Sequence, residues 1–140
     1  MHRSSKALAA GMFAALLGIT ASARADTPHA KVTQLMTRAL ADYPGQEMEM
    51  IVVDYPPGSV DPVHRHDANA MLYVLEGSIV MQVQGGKAVT LKPGDAFYEG
   101  PNDIHTVGRN ASQTAPARFV VVFLKKQGAP ILTPVQQPAQ

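Results

Sequence analysis

The sequence predicts an all-β sandwich or barrel, on two observations. From Glu47 onward the apolar residues come in short or alternating runs of strand length. Turn chemistry separates those runs about every eight to twelve residues, which is the pattern of antiparallel all-β architectures.

The elements can be justified in chain order. Residues 1–25 read as a secretory signal peptide. Arg3 and Lys6 give a basic start, residues 7–19 an apolar stretch, and Ala23-Arg24-Ala25 a small-residue cleavage site. The apolar stretch is short of the ~20 residues a membrane span needs. Cleavage is expected after Ala25, with Ala23 as second choice, which puts the mature chain in the periplasm or outside the cell. Losing Arg3, Lys6 and Arg24 reduces twelve basic residues to nine against eleven acidic ones, so the mature net charge is −2. Without a basic run the chain lacks the electrostatic footprint for nucleic acid or an anionic membrane, which leaves metals and small molecules as the expected partners. There is no cysteine, so disulfides and thiolate chemistry are excluded.

Residues 26–46 form an N-terminal arm. Val32, Leu35, Met36, Ala39 and Leu40 recur at three and four residues, which fits a short helix ended by Pro44-Gly45, or an extended arm with incidental periodicity. Residues 47–126 hold the β runs: 48–54, 63–66, 71–75, 79–83, 88–91, 96–99, 105–108 and 118–124. Pro56-Pro57-Gly58 and Pro93-Gly94 fit turns with proline fixing φ and glycine taking φ > 0, and Gly85-Gly86 suits a tight hairpin. Residues 127–140, rich in proline and glutamine, read as a surface tail.

Side chains in a strand alternate faces, so His64 and His66 project from one face about 7 Å apart. His105, the other histidine of the β region, follows the Gly100-Pro101-Asn102 turn, which can deliver it to a strand start. Three neutral imidazoles converging inside a barrel would hold one divalent ion such as Fe, Mn, Ni, Cu or Zn. An isolated pair of histidines on a strand is more often structural. Here three of the four histidines of the mature chain fall in this arrangement.

These residues resemble a known family. The stretch from Gly58 through His64-Arg65-His66 to Glu76-Gly77 looks like the first cupin motif, and Pro93-Gly94-Asp95 through Pro101, Asn102 and His105 looks like the second. The resemblance implies a double-stranded β-helix, or jelly-roll barrel, with His64, His66 and His105 as metal ligands. It also makes a homodimer the default, through an apolar N-terminal strand. The chain departs from the pattern at Ala70, where cupins usually carry a glutamate ligand, and at Asn102, where they carry glycine. Asn110 falls one residue later than the family asparagine.

Loss of the carboxylate leaves two readings. One is a three-histidine site like those of dioxygenases similar to this pattern. The other has Glu99, on the face of Phe97, reach the metal or serve as its general base. Asp67, Asn69 and Asp103 are weaker candidates, because parity points Asp67 outward and the others lie in apparent loops. Arg65 and Glu76 read as surface or turn residues, and Met48, Met50, Met71 and Met81 as core or subunit packing. Tyr73 and Tyr98 are candidates to line the pocket or hydrogen-bond at its rim, with Tyr98 ranked low because parity sets it opposite Glu99. Leu72, Val74, Ile79, Met81 and Phe97 are the expected apolar wall around a small organic substrate. The sequence therefore favours a mononuclear, dioxygenase-like metal enzyme over a non-catalytic metal or ligand carrier.

Overall fold

A computed structural model describes residues 27–136, so the signal-peptide reading of residues 1–25 lies outside the described residues. Ten strands run β1 (Lys31–Ala39), β2 (Gln46–Tyr55), β3 (His64–Arg65), β4 (Ala68–Glu76), β5 (Ile79–Val83), β6 (Val89–Leu91), β7 (Ala96–Glu99), β8 (Ile104–Asn110), β9 (Ala117–Lys126) and β10 (Thr133–Pro134). They form two five-stranded antiparallel sheets, ordered β1-β2-β9-β4-β7 and β10-β3-β8-β5-β6. Among the described residues no helix is long and apolar enough to cross a membrane.

Period-two patterning builds the core. In β9, Ala117, Phe119, Val121, Phe123 and Lys125 are buried while the residues between them are less so. β2 contributes Ile51, Val53 and Tyr55, and β4 contributes Ala68, Ala70, Leu72 and Val74 to the same interior. Tyr55 meets Phe119 edge-on with ring centroids 5.0 Å apart, a favoured aromatic geometry. Ile79 and Met81 close the interior from the opposite sheet. Gly77 adopts φ 67°, and a Cβ there would lie 2.8 Å from the Ala117 Cα, so the turn after β4 requires glycine. Asn110 is fully buried, its amide nitrogen 2.8–3.2 Å from the carbonyls of Tyr55, Pro56 and Ala115, which pins three loop segments together.

The helical reading of the arm is corrected. Residues 31–39 are a strand along the β2 edge. The apolar spacing misled because Leu35 is an extra residue at a bulge, between Gln34 paired with Ile51 and Met36 paired with Met50. A bulge reverses the alternation of faces. Val32 therefore lies on the cavity side and Met36 on the outer side, four residues apart as on a helix. The tail is also more ordered than its composition suggests. β10 pairs with β3, Val135 N donates to Val63 O, and Ile131 packs on the core. Residues 137–140 lie outside the described residues.

One buried cation sits on the inner face of β9. The Lys125 side chain is 2% exposed, and its Nζ contacts Glu47 Oε1, Glu49 Oε2 at 3.1 Å and the Ala129 carbonyl at 2.7 Å. Removing one partner of such a group strands the others. Lys125→Ala is expected to cost on the order of 3 kcal/mol in urea unfolding, with unchanged metal content.

Candidate metal centre

β3 and β8 pair in register so that His64 lies directly opposite His105. Arg65 points outward and is half exposed, 3.2 Å from the equally exposed Asp67. His66 thus turns back inside with His64, as alternation requires. Across the barrel, Glu99 ends β7, and its strand partner on β4 is Ala70. His64, His105 and Glu99 are buried and His66 partly so. The His66 ring rests on Phe123, with centroids 5.0 Å apart.

The donor atoms form a closed ring. His64 Nε2 is 3.2 Å from His66 Nε2 and 3.3 Å from His105 Nδ1. Glu99 Oε2 is 3.4 Å from both His66 Nε2 and His105 Nδ1. The first of these contacts is not a hydrogen bond between neutral rings. His64 Nδ1 donates to the Pro62 carbonyl at 2.8 Å and His66 Nδ1 donates to the Ile131 carbonyl, so each Nε2 presents a lone pair. Glu99 Oε2 has no hydrogen-bond partner despite being buried. Lone pairs facing one another in a dry interior are unfavourable unless a cation lies between them. Adjacent donors stand 3.2–3.4 Å apart and all four lie within 4.8 Å of one another, close enough to share one ion with a small inward adjustment of the side chains. The residues fit a metal: His64, His66, His105 and Glu99 would hold it, and the Pro62 and Ile131 carbonyls fix two ligand tautomers.

Electrostatics agree with that fit. Burial pushes the His105 imidazole down to about 3, with His64 and His66 adding to the shift, and pushes His66 down to about 4 against the Ile131 hydrogen bond. Both rings are therefore neutral ligands at ordinary pH. Burial, reinforced by Asp103 and Asp61, raises Glu99 to about 7. An ion that takes Glu99 as a ligand takes its carboxylate form, so a proton competes with it below that pH until the contribution of Glu99 is lost. Affinity is expected to be full above pH 7 and to fall about tenfold per pH unit below it, with about half a proton released per ion at pH 7, measured by chelator competition and calorimetry in two buffers.

Of the weaker candidates, none reaches the donor ring. Asp67 faces solvent, Asn69 accepts from the Tyr98 hydroxyl at 2.7 Å, and Asp103 caps the Gly100 N–H at 2.7 Å. Tyr73, Tyr98 and Met71 are exposed on the outer face. Asn102 takes no left-handed conformation, since no non-glycine residue has positive φ among the described residues. Of the expected apolar wall, Leu72 and Met81 line a cavity of about 240 Å³ beside the donors, whereas Val74 and Ile79 lie in the core and Phe97 packs against it. Among the lining residues that sequence reasoning missed are Tyr55, Asp61, His29 and Ile131. Tyr55 was legible in principle, since it continues the inward parity of Ile51 and Val53; His29 and Ile131 carried no signal.

A family model described as the Cupin domain matches residues 51–123. The chain belongs to the cupin family. Pectin degradation protein KdgF of Dickeya dadantii is 32% identical over 62 residues, 44% of this cupin and 56% of that protein. The cupin thus matches little more than half the length of that relative. A Klebsiella pneumoniae protein with a double-stranded β-helix domain superposes with a TM-score of 0.62 at 17% identity, covering 81% of this chain and 90% of that one. An oxalate oxidase in complex with the substrate analogue glycolate gives 0.59 at 25% identity, covering 82% and 60%. The DMSP lyase DddQ of Ruegeria pomeroyi gives 0.54 at 22% identity, covering 62% and 42%.

Proposed function

We propose that this cupin is a mononuclear metal-dependent enzyme, dioxygenase-like in type, acting on a small organic molecule that binds through an oxygen atom. The observation that carries the proposal is the ring of His64, His66, His105 and Glu99 donors opening onto a mainly apolar cavity. A bound ion supplies a Lewis-acid centre and, if it is redox-active like Fe(II), a means of using O₂. The cavity volume of about 240 Å³ falls just below the ~300–1,000 Å³ of drug-sized sites, which favours a small substrate. Ile51, Val53, Leu72 and Val121 give it an apolar lining. The histidine and carboxylate donors suit Fe, Mn, Ni, Cu or Zn and lack the thioethers that select Cu(I).

The test is metal analysis of the exported protein, followed by O₂-uptake and product screens with diketones and small aromatic acids on metal-loaded and chelator-stripped samples. About one ion per chain with metal-dependent turnover supports the enzyme. Saturable binding without turnover under any loaded metal favours a carrier instead. No ion retained from Fe, Mn, Ni, Cu or Zn sinks both readings.

Export and association belong to the same proposal. The N-terminal residues 1–25 favour removal on the way to the periplasm, so the mature chain is expected to begin at Asp26 on N-terminal sequencing. A homodimer is supported by an outward apolar row in register across five strands: Met36, Met50, Val122, Met71 and Tyr98. A second copy burying that row removes the exposed patch. Met71→Glu at its centre is expected to shift the mass seen by light scattering from dimer to monomer, with the metal content unchanged.

A further inference from the structure

The metal ring leaves one pair of cavity residues without a role. Tyr55 is 1% exposed, and its hydroxyl donates to Asp61 Oδ2. The pair flanks the metal ring: the position a Cβ on Gly108 would take lies 3.1 Å from Asp61 Oδ2, 3.3 Å from the Tyr55 hydroxyl and 3.2 Å from His105 Cε1. We propose that Tyr55 and Asp61 form a second station in the cavity that receives a cationic hydrogen-bond donor, so that the substrate is a small acid carrying an ammonium group. The proposal rests on the metal-enzyme reading, because the acid end is assigned to the metal side.

Three observations carry it. Among the described residues the Tyr55 hydroxyl is the side-chain donor that meets the Asp61 carboxylate, which has room for several more. Among the described residues no lysine or arginine lines the cavity, and the other lining carboxylate, Glu99, belongs to the donor ring. Asp61 is therefore a carboxylate whose charge burial disfavours, with the His64 and His29 imidazoles near it and no lysine or arginine beside it among the described residues. Accepting from the buried Tyr55 hydroxyl uses one acceptor site of the carboxylate and leaves the others free. The loop that holds it is already fixed by the Asp61 N–H donating to Gly108 O at 2.8 Å and by the bridge between Val60 and Arg109. An ammonium group meeting Asp61 satisfies its unused acceptor sites in a charge-assisted bond, while the phenol holds the carboxylate in position.

The test uses the full chain loaded with Co(II), with binding of γ-aminobutyrate, γ-hydroxybutyrate and butyrate followed by the cobalt absorption spectrum. The aminated acid is expected to bind at least tenfold more tightly than butyrate, with the hydroxylated one between them. Asp61→Asn should abolish that preference and Tyr55→Phe should reduce it, both at unchanged cobalt content. Equal binding of the three acids, or a preference that survives Asp61→Asn, overturns the station while butyrate binding keeps the metal reading intact. Butylammonium titrated into metal-free protein, followed by NMR at the Gly108 amide, separates the two ideas in the other direction. A shift that Asp61→Asn removes supports the station even if cobalt is not retained, and no shift together with no preference discards it.

Discussion

Replacing His64 with alanine is expected to abolish ion retention, weakening affinity by more than about 100-fold. Loss of partners that merely orient ligands already costs 10–100-fold, and His64 does more than orient. Its Nε2 meets both His66 and His105, at 3.2 and 3.3 Å, the shortest separations in the ring. The same substitution relieves lone-pair crowding in the metal-free protein, so the apo variant should unfold close to the apo wild type. The contrast appears on adding metal. An ion present at about 100 times its Kd stabilises the wild type by ~2.7 kcal/mol, which for a domain of this size raises Tm by roughly 10 °C or more. His64→Ala should show no such rise. A variant that keeps both the ion and the metal-dependent Tm shift would remove His64 from the ligand set.

How much of this was legible in the sequence depends on how locally each feature is encoded. The strands of the barrel follow from alternation, and the runs read at 48–54 and 118–124 lie inside β2 and β9. His64 and His66 were legible because parity fixes their common face without knowledge of the partner strands. His105 and Glu99 required the register of β3 with β8 and of β4 with β7, which local patterning does not specify; the cupin resemblance supplied the first and strand parity only suggested the second. For the arm the sequence left a helix and an extended segment open; the extended one holds, and one bulged residue, Leu35, gives that strand the spacing of a helix. The tail's part in the donor ring is a backbone carbonyl. Ile131 O accepts from His66 whatever side chain the residue carries, so composition does not reveal it. Asp61 stood within the quoted first motif, yet its approach to Tyr55 depends on the loop between β2 and β3.

The register of β4 with β7 yields the other large prediction, an exchange of the carboxylate between strands. Ala70, where the cupin pattern carries glutamate, is the direct partner of Glu99, and cross-strand partners have Cβ atoms about 4.5–5.5 Å apart. Glu99 thus enters the same space from the neighbouring strand. Glu99→Ala is expected to weaken ion affinity by about 10–100-fold, between a lost orienting partner and a lost histidine. Adding Ala70→Glu to that variant should recover most of the loss, since it returns a carboxylate to the site and keeps total volume. Ala70→Glu alone should do the opposite of help. Ala70 is 3% exposed, so the extra side chain overpacks the interior by about 1–3 kcal/mol, and two buried carboxylates raise each other's pKa. Chelator competition and thermal unfolding on the three variants decide the matter. Full retention by Glu99→Ala alone leaves a three-histidine site with Glu99 outside it. A double variant as weak as Glu99→Ala shows that the two strand positions are not equivalent. Recovery in the double variant, with loss in each single one, establishes that this cupin moved its acidic ligand across the strand pair and kept the geometry of the site.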